Sequence, residues 1–251
     1  VKKHQQLSLL EVLKKSSNIC AAKIGMRLTP HVFQDYIRRF GFGSKPGSGL
    51  AAEASGKLLP AKKWTSVDHA SISFGQGILA SPLQMLMAIN VFANQGKLIT
   101  PYTVEHAIDS TGKKLSELIQ PGQKTPYQFG PKIPETVIEP QVSDLVRKFM
   151  ISVTEKGGTA RRAAIEGYEV AGKTGTSQVY DPRLGRYSKT QYVASFGGFV
   201  PANDPQISIL VLIRNPRKSY YGGVVAAPIF RDIAQKTMMI QKVLPPPSEK
   251  T

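Results

Sequence analysis

Two short polar motifs contain side chains that can take part in chemistry. Lys173-Thr174-Gly175-Thr176 follows a strand-like segment at 168–171 and combines one cation with two alternating hydroxyls, a set able to bind a carboxylate. The flanking Gly172 lets a ligand approach the backbone closely. Ser16-Ser17-Asn18 interrupts a helical pattern. Taken alone, the first motif is equally well interpreted as a basic turn at a strand end. The second, taken alone, is better interpreted as a helix cap.

The other residues that often carry chemistry form no pattern here. A single cysteine, Cys20, excludes an internal disulfide framework, and the four histidines have no paired spacing such as HExxH. We therefore expect no metal and no cofactor. Thirty-three basic and 17 acidic residues give a net charge of +16, which favours an anionic environment without identifying it. The sequence contains no stretch of roughly 18–20 apolar residues that could span a membrane.

Helical patterns dominate the first two thirds of the chain. The spacing of apolar residues predicts two helical pieces meeting at 16–18, with Ser17 or Asn18 as a cap, and a helix over 30–40 followed by a long loop to about residue 57. It also predicts a helix from Ser81-Pro82 to Asn94 and another from Gln141 to Gly157. Between these two, we predict a strand pair within 97–115 and a linker over 120–134.

The last third has strand-like patterns. Strands are predicted at 168–176, 192–200 and 207–213, antiparallel because the connection at 203–205 is short, and a final helix at 226–239 covers them. The fold class is therefore mixed α/β, of the α+β kind: a helical subdomain and an antiparallel sheet with a C-terminal covering helix. We expect residues 243–251 to form a flexible tail.

The pairing of S-x-N with K-T-G some 157 positions later resembles the transpeptidase domain of the penicillin-binding proteins, most closely the class B type. The resemblance covers nearly all of residues 1–251. Its further motifs are, in chain order, Ser73-Phe74-Gly75-Gln76-Gly77, Ser81-Pro82-Leu83-Gln84, Ala93-Asn94-Gln95-Gly96, Gly158-Thr159-Ala160, Phe196-Gly197-Gly198-Phe199-Val200-Pro201 and Tyr221-Gly222-Gly223 with Ala227-Pro228-Ile229-Phe230.

The family's nucleophile, the serine of S-x-x-K before S-x-N, has no counterpart at its expected place. Only 15 residues precede Ser16. Ser110-Thr111-Gly112-Lys113 fits the pattern by letter, but it follows S-x-N and lies in a predicted turn, whereas the chemistry needs serine and lysine one helical turn apart. We interpret Ser110 as a chance match. The chain then corresponds to the C-terminal part of the domain, with an incomplete N-terminus, and we expect it to be inactive alone.

The resemblance implies a role for each matching residue. Ser16 matches the serine that relays a proton to the leaving group, and Asn18 the amide that holds the substrate peptide. Lys173 would supply positive potential. Thr174, Gly175 and Thr176 would form the substrate-binding strand, with the two hydroxyls on the terminal carboxylate and the Thr176 N–H as one arm of the oxyanion hole.

The resemblance also implies the biological setting. The full-length protein would be a D,D-transpeptidase that cross-links peptidoglycan through a serine acyl-enzyme, acting on stem peptides ending in D-Ala-D-Ala and inhibited by β-lactams. It would work outside the cytoplasm beside other cell-wall synthesis proteins of elongation or division, held by an N-terminal membrane anchor. Two alternatives remain open: a β-lactamase or β-lactam sensor of the same fold and, from the charge alone, a nucleic-acid-binding module. The scattered basic residues argue against nucleic acid as a partner.

The resemblance further predicts that Ser16 and Lys173 lie within hydrogen-bonding or one-water distance. If the absent nucleophile helix leaves a gap there, the two side chains would instead be farther apart. Asp68 and His69 are interpreted as structural, and Trp64, Tyr220 and Tyr221 as packing or rim residues.

Overall fold

Capped helices form most of the first part of the chain in a computed structural model that describes residues 6–114, 130–181, 183 and 185–245. The helices are α1 (Leu9–Lys15), α2 (Asn18–Gly25), α3 (Pro30–Arg39), α4 (Ser66–Ile72), α5 (Pro82–Ala93), α6 (Pro140–Ser152), α7 (Gly222–Val225) and α8 (Ala227–Ile240). The strands are β1 (Lys97–Leu98), β2 (Glu135–Thr136), β3 (Ala171–Asp181), β4 (Arg186–Val200) and β5 (Ile207–Arg214). Single 3-10 turns lie at Ala61–Lys63 and Arg161–Ala163. No helix among the described residues is long and apolar enough to cross a membrane.

Side-chain caps fix where several helices begin. Ser8, Thr65 and Ser81 each start a helix through a capping box, in which the cap hydroxyl and a side chain three residues later satisfy backbone N–H groups that the helix leaves free. Ser17 caps α2 by accepting from the Cys20 N–H, as the sequence predicts. Thr29 caps α3 in the same way.

The main sheet has the order β3-β4-β5, and both pairs are antiparallel. Lys173 of β3 lies opposite Gly197 of β4, and Thr176 lies opposite Ala194. The three predicted strands are thus neighbours in one sheet. β3 contains the whole K-T-G-T motif, as the predicted strand over 168–176 does, but it begins at Ala171 and continues to Asp181. β4 begins at Arg186, before the predicted 192.

Helices cover both faces of this sheet. On one face, Phe230, Ala234 and Met238 of α8 are buried against Phe196, whose ring meets that of Phe230 edge-on with centroids 4.8 Å apart. On the other face, Phe199 of β4 packs with side chains of α5 and α6. Residues 196 and 199 face opposite sides because successive strand side chains alternate. The mixed α/β class and the covering helix are confirmed.

The region after α5 differs from its prediction. Instead of a strand pair within 97–115, β1 pairs with β2, and the Gly96 carbonyl accepts from the N–H groups of Val137 and Ile138. β1 ends at Leu98, and Pro101, which has no N–H to donate to a further strand pair, follows three residues later. The predicted turn at 109–112 is present, closed by one bridge between Ile108 and Lys114. Residues 120–129 of the predicted linker lie outside the described residues.

Three further segments also differ from their predictions. α6 ends at Ser152 rather than Gly157, because the hydroxyls of Ser152 and Thr154 bond carbonyls of the last helical turn. α4 was not predicted at all. In the predicted tail, the Val243 carbonyl accepts from the Tyr168 hydroxyl at 2.7 Å, so the chain is still attached to the core there. Residues 246–251 of that tail lie outside the described residues.

Candidate active site

Ser16 lies at the sharp junction between α1 and α2. It ends α1 in the left-handed conformation (φ 53°, ψ 52°), and its N–H donates to the Leu13 carbonyl. Ser17 then begins the cap of α2 directly. This turn joins the two helices without a linker and leaves the Ser16 side chain at the surface, available to a partner from the sheet.

Lys173 of β3 provides that partner. Its Nζ donates to Ser16 Oγ at 2.7 Å, although the two residues are 157 positions apart. Nζ also lies 3.0 Å from the Thr174 carbonyl oxygen and 3.4 Å from Thr174 Oγ1. The predicted proximity of Ser16 and Lys173 is confirmed. The alternative, that a gap keeps them apart, is wrong.

Burial changes the acid–base behaviour of Lys173. Loss of hydration disfavours the charged ammonium and lowers the pKa of Lys173 from its ordinary 10.5 to about 8. A lysine with a pKa of about 8 is mostly protonated at neutral pH, yet it gives up its proton far more readily than an exposed lysine. It can therefore supply positive potential and also take part in proton transfer.

The two threonines of the motif have different surroundings. Thr174 Oγ1 lies 3.2 Å from Thr159 Oγ1. Thr176 Oγ1 accepts from the Gly222 N–H at 3.4 Å, which leaves its own proton free to be donated elsewhere. On the predicted substrate-binding strand, the Thr174 hydroxyl is therefore hydrogen-bonded within the protein, whereas the Thr176 hydroxyl can donate its proton to a ligand.

Glycines allow the backbone to close around this strand. A Cβ on Gly175 would overlap Ser195 Oγ of the neighbouring strand, and one on Gly222 would overlap the Ser195 carbonyl. A Cβ on Gly223 would overlap the Thr159 carbonyl. The glycine pair after Tyr221 thus permits the backbone to approach β3 closely.

Asn18 is exposed in the first turn of α2, two residues from Ser16. The structure therefore brings Ser16 and Asn18 to the same junction and places Lys173 against it. Thr174, Gly175 and Thr176 continue from Lys173 along β3.

An apolar groove adjoins the motif strand. It encloses a cavity of about 450 Å³, bounded on one side by Lys173 and Gly175. Among the side chains that line the rest of it are Leu13, Phe33, Ile37, Ile89, Phe92 and Leu210. The groove is thus lined mainly by apolar side chains, with Lys173 among its lining residues.

Asp68 and His69, interpreted from the sequence as structural, take part in helix capping and in aromatic packing. Asp68 belongs to the capping box of α4, and His69 is buried with its ring 5.6 Å from that of Phe33 and 5.8 Å from that of Trp64. Tyr220 and Tyr221 are exposed, as expected of rim residues, and Tyr220 stacks on Tyr192.

Ser110 lies in an exposed turn rather than a helix. The Asp109 carboxylate accepts from the N–H groups of Thr111 and Lys113 and shapes this turn. Ser110 and Lys113 are therefore not one helical turn apart on a common face, which supports the interpretation of a chance match.

The turn between α6 and β3 makes contacts with α1 that the sequence motifs do not predict. Besides Thr159, this turn contains Gly157, whose carbonyl accepts from Lys15 Nζ at 2.8 Å, and Glu155, which pairs with Lys14 at 3.6 Å. The one sequence signal was the Gly158-Thr159-Ala160 motif, which had no role attached. Nothing in the spacing of Lys14 and Lys15 indicates a partner about 140 residues later.

Comparison with known proteins identifies the family. The family model of the penicillin-binding protein transpeptidase domain matches residues 1–235. Stage V sporulation protein D of Bacillus subtilis (strain 168) is 36% identical over 236 residues, covering 94% of this chain and 34% of that protein. The peptidoglycan D,D-transpeptidase FtsI of Escherichia coli (strain K12) is 32% identical over 246 residues, covering 98% and 38%. The chain therefore spans about a third of the length of these two relatives.

Solved structures give the same result. Penicillin-binding protein 3 of Mycobacterium tuberculosis, crystallised with ampicillin, superposes with a TM-score of 0.84 at 28% identity, covering 97% of this chain and 53% of that one. The transpeptidase domain of Burkholderia pseudomallei penicillin-binding protein 3 gives a TM-score of 0.79 at 30% identity, covering 95% and 66%. The motifs, the fold and these matches agree, and the chain belongs to the penicillin-binding protein transpeptidase domain family.

Proposed function

We propose that this chain is part of a serine-type peptidoglycan D,D-transpeptidase whose nucleophilic serine lies elsewhere in the parent polypeptide. The observation that carries this proposal is the 2.7 Å hydrogen bond from Lys173 Nζ to Ser16 Oγ, which joins the S-x-N and K-T-G motifs in one site. The substrates are stem peptides ending in D-Ala-D-Ala, and β-lactams compete for the same site. The family membership and the names of the relatives support this assignment.

The reaction is an acyl transfer in two steps. The serine hydroxyl adds to the carbonyl of the penultimate D-Ala, the peptide C–N bond breaks, and the terminal D-Ala leaves with the proton that the serine gave up. An amine of a second stem peptide then attacks the acyl-enzyme, forms the cross-link and releases the serine. Ser16 relays the proton toward the departing nitrogen, and Lys173 donates to Ser16 and so orients this hydroxyl.

Thr176 and Thr174 hold the terminal carboxylate of the substrate. Thr176 is the better direct donor, because its oxygen accepts from the Gly222 N–H and its proton is free. Positive potential from Lys173 stabilises the same carboxylate. The Thr176 N–H forms one arm of the oxyanion hole, and Asn18, exposed beside Ser16, holds the peptide backbone of the donor.

The apolar groove receives the segment that carries the nucleophile. Lys173 and Gly175 are among its lining residues, so a segment whose apolar side chains fill the cavity of about 450 Å³ would lie beside the Ser16–Lys173 pair. The solved transpeptidase chain of B. pseudomallei is longer than this chain, which covers 66% of it, so relatives have further residues with which to fill such a groove.

The parent protein works outside the cytoplasm, where peptidoglycan is assembled, and is held there by an N-terminal membrane anchor. Its partners are other cell-wall synthesis proteins. Names of relatives such as stage V sporulation protein D and FtsI support a role in cell-wall construction.

Labelling with a fluorescent penicillin tests the proposal. We expect the full-length protein to retain one label after denaturation, on a serine upstream of residue 1, and the 251-residue chain alone to retain none. Lys173→Ala in the full-length protein should slow labelling at least about 10²-fold, the order typical of losing one catalytic group. Lys236→Ala, an exposed lysine of α8, is the matched control and should label normally.

Two results would contradict the proposal. Stoichiometric labelling of Ser110 in the 251-residue chain would make the turn serine a nucleophile. Fast hydrolysis of penicillin by the full-length protein, with no label retained, would indicate a β-lactamase instead.

A further inference from the structure

Thr159 connects the turn after α6 to the motif strand. Its Oγ1 lies 3.2 Å from Thr174 Oγ1, so one of the two hydroxyls donates to the other. Gly223 packs so closely on the Thr159 backbone that a Cβ there would overlap the Thr159 carbonyl. The backbone of Thr159 is thus held in place, while its side chain remains exposed at the cleft.

The ammonium of Lys173 has three protons and, among the described residues, three oxygen acceptors. These are Ser16 Oγ, the Thr174 carbonyl and Thr174 Oγ1. The carbonyl position is fixed by the strand, whereas rotation about χ1 of Thr174 changes the distance between Oγ1 and Lys173 Nζ. The bond to Thr159 Oγ1 favours the rotamer in which this distance is 3.4 Å. Thr159 therefore acts on Lys173 through Thr174.

The same turn also holds the helix that ends at Ser16. Lys15 Nζ donates to the Gly157 carbonyl at 2.8 Å, and Lys14 pairs with Glu155 at 3.6 Å. Residues 155–159 thus contact α1, the helix that ends at Ser16. They also contact Thr174, whose Oγ1 is the third acceptor for the Lys173 ammonium. This geometry fixes both ends of the Ser16–Lys173 bond from one segment.

We propose that Thr159 is a positioning residue for the reaction: its hydroxyl holds Thr174 in the rotamer that keeps the Lys173 ammonium directed at Ser16. The catalytic meaning of this role rests on the proposed transpeptidase function. The hydrogen-bond chain itself does not, since it is a property of these 251 residues.

Apart from the Lys173 ammonium, the groups that form this chain of contacts are hydroxyls and one carbonyl. On α1 the lysines nearest Ser16 bond the Gly157 carbonyl and Glu155. The remaining charged residues of α1 and of the segment between α6 and β3 are Glu11, which belongs to the capping box of α1, Lys156, Arg161, Arg162, which donates to the Val224 carbonyl, Glu166, and Glu169, which accepts from the Asn203 side-chain amide. Burial is the cause of the lowered pKa of Lys173.

The test is to titrate the Lys173 side chain by NMR in the 251-residue chain, with its signal assigned by its loss in Lys173→Met. Thr159→Val removes the hydroxyl at constant shape, and Thr159→Ser keeps it. A net hydrogen bond of about 0.5–1.5 kcal/mol would lower the pKa of Lys173 by about 0.5–1 in Thr159→Val, because the charged form loses an acceptor. Thr159→Ser should restore the wild-type titration.

An unchanged titration in Thr159→Val would overturn the proposal. Thr174→Val tests the same link from its other end and must give a shift of the same sign, so the proposal stays decidable even if one variant does not fold. In the full-length protein, Thr159→Val should lower the acylation rate constant about threefold to tenfold, and Thr159→Ser should restore it. A full-length protein that penicillin never acylates would defeat the transpeptidase function and leave the NMR result to decide the hydrogen-bond chain.

Discussion

Lys173 keeps its positive charge at a position where water contributes little to stabilising it. Burial lowers the pKa of Lys173 to about 8, whereas a lysine in the unfolded chain titrates near 10.5. Between these two values the unfolded chain binds more protons than the folded chain, so the free energy of unfolding rises with pH. The penalty for burying the charge is therefore complete below pH 8 and disappears above about pH 10.5.

Comparison with Lys173→Met measures this penalty. The free energy of unfolding of the wild type minus that of the variant should rise by up to about 3 kcal/mol between pH 8 and 10.5, from a pKa difference worth 1.36 kcal/mol for each pH step. Urea denaturation at pH 7, 8, 9.5 and 10.5 provides the measurement, with Thr237→Val on α8 as an uncharged control. A difference that stays constant with pH would show that Lys173 is not buried as the structure has it.

The positions of the individual site residues could largely be predicted, because these residues belong to short motifs that follow one another in a fixed order along the chain. Ser16 and Lys173 belong to the two triplets and Thr176 directly follows the second, while the contact between Ser16 and Lys173 follows from the need to build one cleft. The distinction between Thr174 and Thr176 did not follow, since it depends on Thr159 and Gly222, which approach β3 from distant parts of the chain. Catalytic roles for all six motif residues stay predictions until acylation is measured.

At the scale of elements, the end of α1 is fastened to the turn after α6 by two neighbouring lysines. Lys15 bonds a backbone carbonyl directly, whereas Lys14 forms an ion pair with the exposed Glu155. Lys15→Met should lower the free energy of unfolding by about 1 kcal/mol, and Lys14→Met by less than about 0.5 kcal/mol because exposed ion pairs contribute little.

Hydrogen exchange separates these two variants further. The Ser17 N–H, which donates to the Val12 carbonyl at the α1–α2 junction, should exchange faster in Lys15→Met and remain unchanged in Lys14→Met. Equal effects of the two substitutions would mean that charge, not the bond to Gly157, holds α1 in place.

The approach of α7 to the sheet depends on Gly222. A Cβ at this position would overlap the Ser195 carbonyl and lie 2.7 Å from the Gly175 carbonyl. We expect Gly222→Ala to lower the free energy of unfolding by about 2–3 kcal/mol, as overpacking does, and to displace the N–H that bonds Thr176. Thermal denaturation measures the cost.

Gly112→Ala is the matched control for that substitution. Gly112 has a positive φ of 84° but open space around its Cβ position, so only backbone strain of about 1 kcal/mol should remain. A cost at Gly222 no greater than that at Gly112 would contradict the close approach of α7.

Element positions were predictable where caps and periodicity are strong. Ser81-Pro82 defines α5 and alternation of turn and apolar residues defines β4 and β5, because these signals are local. β1 pairs with residues almost 40 positions later, and no local pattern at 97–115 indicates that partner. α4 has apolar side chains only at Val67, Ala70 and Ile72, and Val67 is exposed, so its apolar residues do not mark one buried helix face.

For the molecule as a whole, the apolar groove beside Lys173 has a measurable consequence. The 251-residue chain should bind the dye ANS with strong fluorescence, since the cavity of about 450 Å³ is lined largely by apolar side chains. The full-length protein, with its groove filled by the segment we propose, should bind the dye weakly. Ala88→Glu, which adds a charge to the groove lining, should reduce the fluorescence of the 251-residue chain.

Dye binding by the full-length protein as strong as that of the shorter chain would mean that the groove stays open. That outcome would contradict the proposal that the segment carrying the nucleophile binds in this groove. It would leave the Ser16–Lys173 contact untouched.

The hydrogen bond between Ser16 and Lys173 joins residues 157 positions apart, so we expect it to form late in folding. The entropy lost on closing so long a loop has to be compensated by α5, α6 and the sheet packing together. The two halves of the cleft therefore meet only when the core between them has formed, as a late step of a high-contact-order topology. A partly folded chain would present neither half of the cleft in working order, so under the function we propose, penicillin labelling of the full-length protein would also report that folding is complete.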